Sequence, residues 1–278
     1  MINTVIISAT SDIGLAYARH CKPQTTHLLG TYRDLSRHHE LNGICDTSLY
    51  LDLSHGESIE SFKIKFNQLA LKWSRLIFCP CQPYPYQDFF KSKFSDWEES
   101  FHINSIKQLE LLHFLYRSRD KDAKVLFFAG GGTNSAVEAF SAYTSAKIHL
   151  IKMVELLDHE NNDMCFSILG PGWVNTKTHL NVLNHSDPNS QKYKETIKFI
   201  KKPLGATPID EVVHSINWIF NQPKKIVGGR NFSTAYDPIN MSHSDSERLT
   251  MHLEKDTNMY KLRRHGNHIF NVKRFAEL

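Results

Sequence analysis

The sequence predicts an α/β fold, one parallel sheet covered by helices on both faces, in a single domain with a C-terminal helical extension. Three observations carry that expectation. Six short apolar runs recur along the chain: "TVIIS" (4–8), "THLLGTY" (26–32), "TSLYLDL" (47–53), "SRLIFC" (74–79), "AKVLFFA" (123–129) and "MCFSILG" (164–170). Each is continuous rather than alternating, as strands buried on both faces are. Helix-period stretches fill the intervals at 12–21, 57–72, 95–118 and 141–160, and such alternation builds a doubly wound sheet. No fixed-period repeat or low-complexity linker divides the 278 residues, a length that can bury one sizeable core.

The first run passes through a tight turn, "SATSDIG", into a helix start. Backbone N–H groups there form an anion site, and Gly14 allows close packing of helix on strand. Asp12 is expected to cap this helix, and Ser8 is acceptable in the turn as long as its backbone avoids the left-handed region. After the sixth run the regularity weakens. Residues 177–207 are polar and read as a lid over the sheet end, a loop with a short helix at "NSQKYKETIKFI". A capped amphipathic helix follows at 207–222, then one more strand in "KKIVGGRNFSTAY" (224–236). The division expected is a main domain over 1–240 and a mostly helical, basic extension over 241–278.

Composition narrows the function classes. The chain is 41% hydrophobic and 22% charged, ordinary for a soluble globular protein. The net charge of +4 comes from dispersed basic residues, which argues against a nucleic-acid partner. No apolar run approaches the ~20 residues of a membrane span, and nothing at the start reads as a signal peptide. Five scattered cysteines argue against a disulfide framework and for a reducing, cytoplasmic setting. Cys79-Pro80-Cys81 is too short for zinc pairing and reads as structural thiols, and no histidine pair has metal-ligand spacing, so no metal is expected. His38 and His39 read as solvated.

The reaction centre is expected in "AYTSAK". Tyr143 and Lys147 stand at i and i+4 on one helix face. A phenol with a pKa of ~10 is a poor acid–base group at neutral pH, and a neighbouring ammonium favours its phenolate.

With the first turn, this pair and "GPGWVNTKTH" in order, residues 1–236 resemble the short-chain dehydrogenase/reductase family. The resemblance implies a Rossmann-type sheet and a nicotinamide dinucleotide. It places the cofactor on Ser8, Thr10, Ser11, Asp12, Ile13 and Gly14 of the first turn. It adds Asp52 and Leu53 after strand three, Cys79 and Pro80 after strand four, Tyr143 and Lys147, and Pro171, Gly172, Val174 and Thr176 after strand six. Arg33 follows strand two where an acidic residue would hold an NAD ribose, so NADP(H) is expected in preference to NAD(H), with Asp34 turned outward. By the same resemblance Tyr143, Lys147 and Asn104 are the catalytic set, Asn104 helping to hold a water that bridges to the lysine.

Two departures stand out. Cys79-Pro80-Cys81-Gln82 replaces the family's Asn-Asn-Ala-Gly, so that loop must be held differently. The serine that binds the substrate carbonyl falls on Gly130, thirteen residues before Tyr143; Gly131 or Thr133 of the same loop, or Ser135, are candidate replacement donors, whereas Ser141 should point off the catalytic face. The function expected is hydride transfer between NADP(H) and a carbonyl or alcohol. The "FFAGGGTN", "ILGPGWVNTKTH" and "MYKLRR" segments are similar to reductase-like proteins encoded with bacterial surface-polysaccharide genes, which points to a sugar or nucleotide-sugar substrate. The alternative is a dinucleotide-binding sensor or partner subunit without turnover. A homodimer or homotetramer is expected on family analogy alone.

Overall fold

A computed structural model describes residues 1–265. Seven strands form one sheet: β1 (Asn3–Ile7), β2 (His27–Tyr32), β3 (Thr47–Tyr50), β4 (Trp73–Phe78), β5 (Arg119–Phe128), β6 (Met164–Gly170) and β7 (Asn231–Ser233). Their order is β3-β2-β1-β4-β5-β6-β7, and all six pairings are parallel. The order reverses between β1 and β4. A doubly wound sheet opens its ligand crevice at that point, at the carboxyl ends of the strands.

The central strands are buried throughout, as their unbroken apolar runs require: Val5, Ile6 and Ile7 of β1 and Leu76, Ile77 and Phe78 of β4 are each 0% exposed. One face is covered by α1 (Asp12–Cys21), α8 (Ile209–Asn221) and α10 (His243–Lys255), the other by α2 (Gly56–Gln68), α4 (Lys107–Leu115) and α5 (Ser141–Glu160). Short helix α3 (Phe94–Phe101) runs into α4 through a π turn, His102–Ile106, so the single helix expected over 95–118 is broken once.

Residues 177–207 hold more structure than their polar sequence suggests. The expected short helix is α7 (Gln191–Lys201), and a second helix, α6 (Lys177–His185), stands where a loop was expected. Trp173 and His179 pack on the buried ring of Phe199, at 4.9 and 4.8 Å between centroids. The last expected strand is mostly not one. Lys224–Val227 is a helical turn, α9, and only Asn231–Ser233 joins the sheet, because Gly229 turns the chain at φ 70° between them. Beyond α10, residues 256–265 are not helical, and the rest of the expected helical extension lies outside the described residues. Arg263 ties the described end to α5 through two bonds to Glu155, 2.8 and 3.0 Å. All five cysteines are free thiols, and no helix among the described residues is long and apolar enough to cross a membrane.

Candidate active site

The turn after β1 is tied to β2 by Thr31, which is 1% exposed. The Ser8 N–H donates to Thr31 Oγ1 at 2.8 Å and the Ala9 N–H to the Thr31 carbonyl at 2.7 Å. These bonds hold Ser8 at φ 61°, inside the left-handed region it was expected to avoid. The helix cap also differs from expectation. Ser11 caps α1, its Oγ accepting from the Gly14 N–H at 3.1 Å, while Asp12 is the first helical residue. Asp12 instead accepts from the Lys177 N–H at 2.8 Å, with Arg37 at 3.9 Å, so its carboxylate fastens the start of α6 to the first turn. Gly14 does not line the cleft that opens here: a Cβ there would meet Ser8 O at 2.8 Å, so it serves close helix–strand packing.

From this turn a cleft of about 470 Å³ runs along the strand ends, a size ordinary for a small-molecule site. Ser8, Thr10, Ser11, Asp12 and Ile13 line its first wall. Arg33, Asp52 and Leu53 line one end, and Pro171, Gly172, Val174 and Thr176 the other side. Arg33 is exposed and donates to Gln82 Oε1 at 3.2 Å. Asp34 is turned back on the Ser36 hydroxyl and N–H, which hold its carboxyl below its usual range. Ser54 donates twice to Asp52, and against the upward pull of burial these bonds keep that carboxyl low. Tyr32 faces away, stacked at 4.2 Å on His38, which is half-buried and bonded to Ser48 rather than solvated. Gly172 has φ 77°, and a Cβ there would run into Thr207, so no other residue fits this bend.

The loop after β4 answers how Cys-Pro-Cys-Gln is held. Asn104, fully buried in the π turn, grips Gln82 at both ends of its backbone: its Oδ1 accepts from the Gln82 N–H at 2.9 Å and its Nδ2 donates to the Gln82 carbonyl at 2.6 Å. A second Nδ2 bond reaches the Ser100 carbonyl at 2.8 Å. The side-chain amide of this asparagine is therefore committed to shaping the loop. Cys79 is buried and its thiol is pushed up to about 12, chiefly by burial. Cys81, expected to be structural, is exposed in the cleft, and its thiol donates to the Tyr143 hydroxyl across 3.7 Å.

Tyr143 and Lys147 come from the first turns of α5 and both face the cleft. Lys147 is 2% exposed, makes no hydrogen bond or ion pair among the described residues, and sits 5.6 Å from the Tyr143 ring centre. Burial pulls its ammonium down to about 8, so it still carries most of its charge at pH 7. Burial first, then Cys81 and Tyr86, push the Tyr143 phenol well above its usual value, so it keeps its proton there. A protonated phenol beside a buried cation can deliver a proton to an oxygen in the cleft.

The glycine run does not line the cleft. A Cβ at Gly130 would lie 2.5 Å from Tyr143 Cε1 and 2.7 Å from its hydroxyl oxygen, so the tyrosine ring fills the place a serine would take. Thr133 is spent on the Gly130 carbonyl, and Gly131 accepts from Thr144. Ser141 accepts from Trp97 Nε1 at 3.0 Å, off the catalytic face. Sequence reasoning missed Cys81, Arg37 and Lys177; the first carried a signal, since it follows the strand at the topological switch point.

No family model matches the chain, and no curated protein matches it by sequence. Its fold does match solved structures. A short-chain dehydrogenase/reductase from Saccharomyces cerevisiae superposes with a TM-score of 0.73 at 15% identity, over 89% of this chain and 99% of that one. A short-chain dehydrogenase from Shigella flexneri complexed with NADP gives 0.69 at 12% identity, over 84% and 96%. YwfH, an NADPH-dependent reductase involved in bacilysin biosynthesis, gives 0.69 at 14% identity, also over 84% and 96%. Identities this low establish a shared fold.

Proposed function

We propose that this protein is an NADP(H)-dependent oxidoreductase acting on a carbonyl or alcohol. The observation that carries the reading is Lys147, a buried ammonium with no hydrogen-bond or ion-pair partner among the described residues, one helical turn from Tyr143 in the cleft of the first helix. A buried cation without a partner is costly unless a ligand satisfies it, and sugar hydroxyls are suitable acceptors.

The cleft fits a dinucleotide. N–H groups at the start of α1 favour a pyrophosphate, and the Arg33 fork, with Asp34 turned away, suits a 2'-phosphate. Arg37 is bound at 2.7 and 2.8 Å to Glu40, which leaves Arg33 as the reading residue. Several of the solved structures with this fold are described with NADP or NADPH, which supports the same cofactor here. When bound, the reduced nicotinamide supplies hydride to the carbonyl carbon. Tyr143 then gives its proton to the carbonyl oxygen, Lys147 holds ribose and stabilises the phenolate left behind, and Asn104 holds the Gln82 loop in place. Trp173 and His179 line the same cleft and offer apolar faces beside polar groups, in keeping with a sugar or nucleotide sugar.

NADPH and NADH titrations followed by fluorescence test the cofactor. Arg33→Ser should weaken NADPH about tenfold or more and leave NADH within twofold, as loss of a charge-assisted bond implies; equal binding of both cofactors by the unaltered protein refutes the assignment. NADPH oxidation with keto-sugars tests the chemistry, which Tyr143→Phe should abolish. The filled position at Gly130 favours a second reading, a binding module without turnover, whose signature is NADPH binding with no Tyr143-dependent reduction of any carbonyl.

A further inference from the structure

We infer that the Cys81 thiol is the second hydrogen-bond donor to the substrate carbonyl, acting with Tyr143 from the wall opposite Gly130. This rests on the oxidoreductase reading above and names the group that orients its substrate. The glycine side of Tyr143 is closed, because a Cβ at Gly130 would already overlap the phenol ring at 2.5 Å. Thr133 Oγ1 of that loop is spent on the Gly130 carbonyl at 3.1 Å, Thr144 Oγ1 of α5 on the Gly131 carbonyl at 3.2 Å, and Ser135 does not line the cleft.

On the opposite side Cys81 is exposed in the cleft, with its sulfur 3.7 Å from the Tyr143 hydroxyl. An oxygen that binds the phenol from the Cys81 side lies within reach of the thiol as well. The loop that carries Cys81 is fixed by the double grip of Asn104 on Gln82, the next residue, so the thiol is held in place. Lys147, 2% exposed and without a hydrogen-bond or ion-pair partner among the described residues, faces the same space and marks it as the reacting end. A thiol is a weak donor, so its contribution is smaller than that of a serine hydroxyl.

Labelling with chloroacetone tests this without needing turnover. Its carbonyl would sit between Tyr143 and Cys81; the sulfur then attacks the chloromethyl carbon, the sulfur–carbon bond forms as chloride leaves, and the thiol proton passes to water. Methyl methanethiosulfonate, which has no carbonyl, reports the reactivity of the thiol alone. With NADP+ bound, Tyr143→Phe should slow chloroacetone at Cys81 about tenfold, read by peptide mass spectrometry, while methanethiosulfonate stays within about twofold. Equal effects on both reagents, or on neither, overturn the inference. A second measurement is kcat/KM for NADPH-dependent carbonyl reduction. Cys81→Ala should lose about tenfold and Cys81→Ser should stay near the unaltered protein; an alanine variant as fast as the unaltered protein also overturns it. If no carbonyl is reduced by the unaltered protein, the oxidoreductase reading fails separately, and the labelling ratio decides the placement of the thiol.

Discussion

Replacing Gly130 by serine restores the residue that the family resemblance places there, and the structure predicts that the change does harm. Gly130 has no left-handed φ, so backbone strain is not at issue and crowding is the whole effect. A Cβ would stand 2.5, 2.7 and 2.8 Å from three atoms of the Tyr143 phenol. Carbon–carbon contact settles near ~3.5 Å, so the ring must retreat by about 1 Å. The ring lines the cleft on its other side, beside Cys81, so it retreats into the space a substrate would occupy. Overpacking of this kind costs about 1–3 kcal/mol of stability. Misplacing a reacting group by about 1 Å costs about a hundredfold in rate. Gly130→Ser and Gly130→Ala should therefore fall together in kcat/KM for NADPH-dependent carbonyl reduction, and both should melt at a lower temperature. NADPH affinity should hold within about twofold, since Gly130 does not line the cleft. A serine variant faster than the unaltered protein, with alanine slower, refutes this account of the site.

Four further outcomes follow from single residues. Ser8→Gly should stabilise the fold by about 1 kcal/mol in urea denaturation, because a left-handed φ of 61° strains any residue with a Cβ; unchanged or lower stability would show that the Ser8 side chain compensates. Gly172→Ala should lose about 2 kcal/mol or more by the same measure, through its φ of 77° and the clash with Thr207, and a neutral result would deny the bend its rigidity. Burial lowers Lys147 to about 8, so its charge is present below that pH and lost above it. NADPH affinity should accordingly weaken between pH about 7 and about 9.5, and a flat profile would remove Lys147 from the ribose site. Arg263, with Lys152, holds Glu155 down at about 2, so their contribution to stability is whole above the usual carboxyl value of 4.5 and fades as the pH falls towards 2. Arg263→Ala should thus lower the melting temperature at neutral pH but not near pH 2; an equal deficit at both would point to lost packing.

Much of this molecule was legible along the chain. Strands buried on both faces must be continuous and apolar, and six such runs, with helices at 12–21 and 141–160 between them, mark six of the seven strands and the α/β class. The i, i+4 spacing of Tyr143 and Lys147 fixes a shared helix face whatever lies around it. Hydrogen bonds and steric closure between distant segments were not legible, because they arise only when the sheet brings those segments together. Ser8 is left-handed because Thr31, 23 residues later, pulls on its N–H. The Asn104 amide is engaged by Gln82, 22 residues earlier, a contact that its place on a helix does not reveal. Gly130 read as a missing donor, but the folded chain fills that place with the tyrosine ring itself and sets a cysteine from another strand end against the phenol. Periodicity and residue type settle the elements and which side chains share a face; which donor meets which acceptor across the strand ends is a property of packing alone.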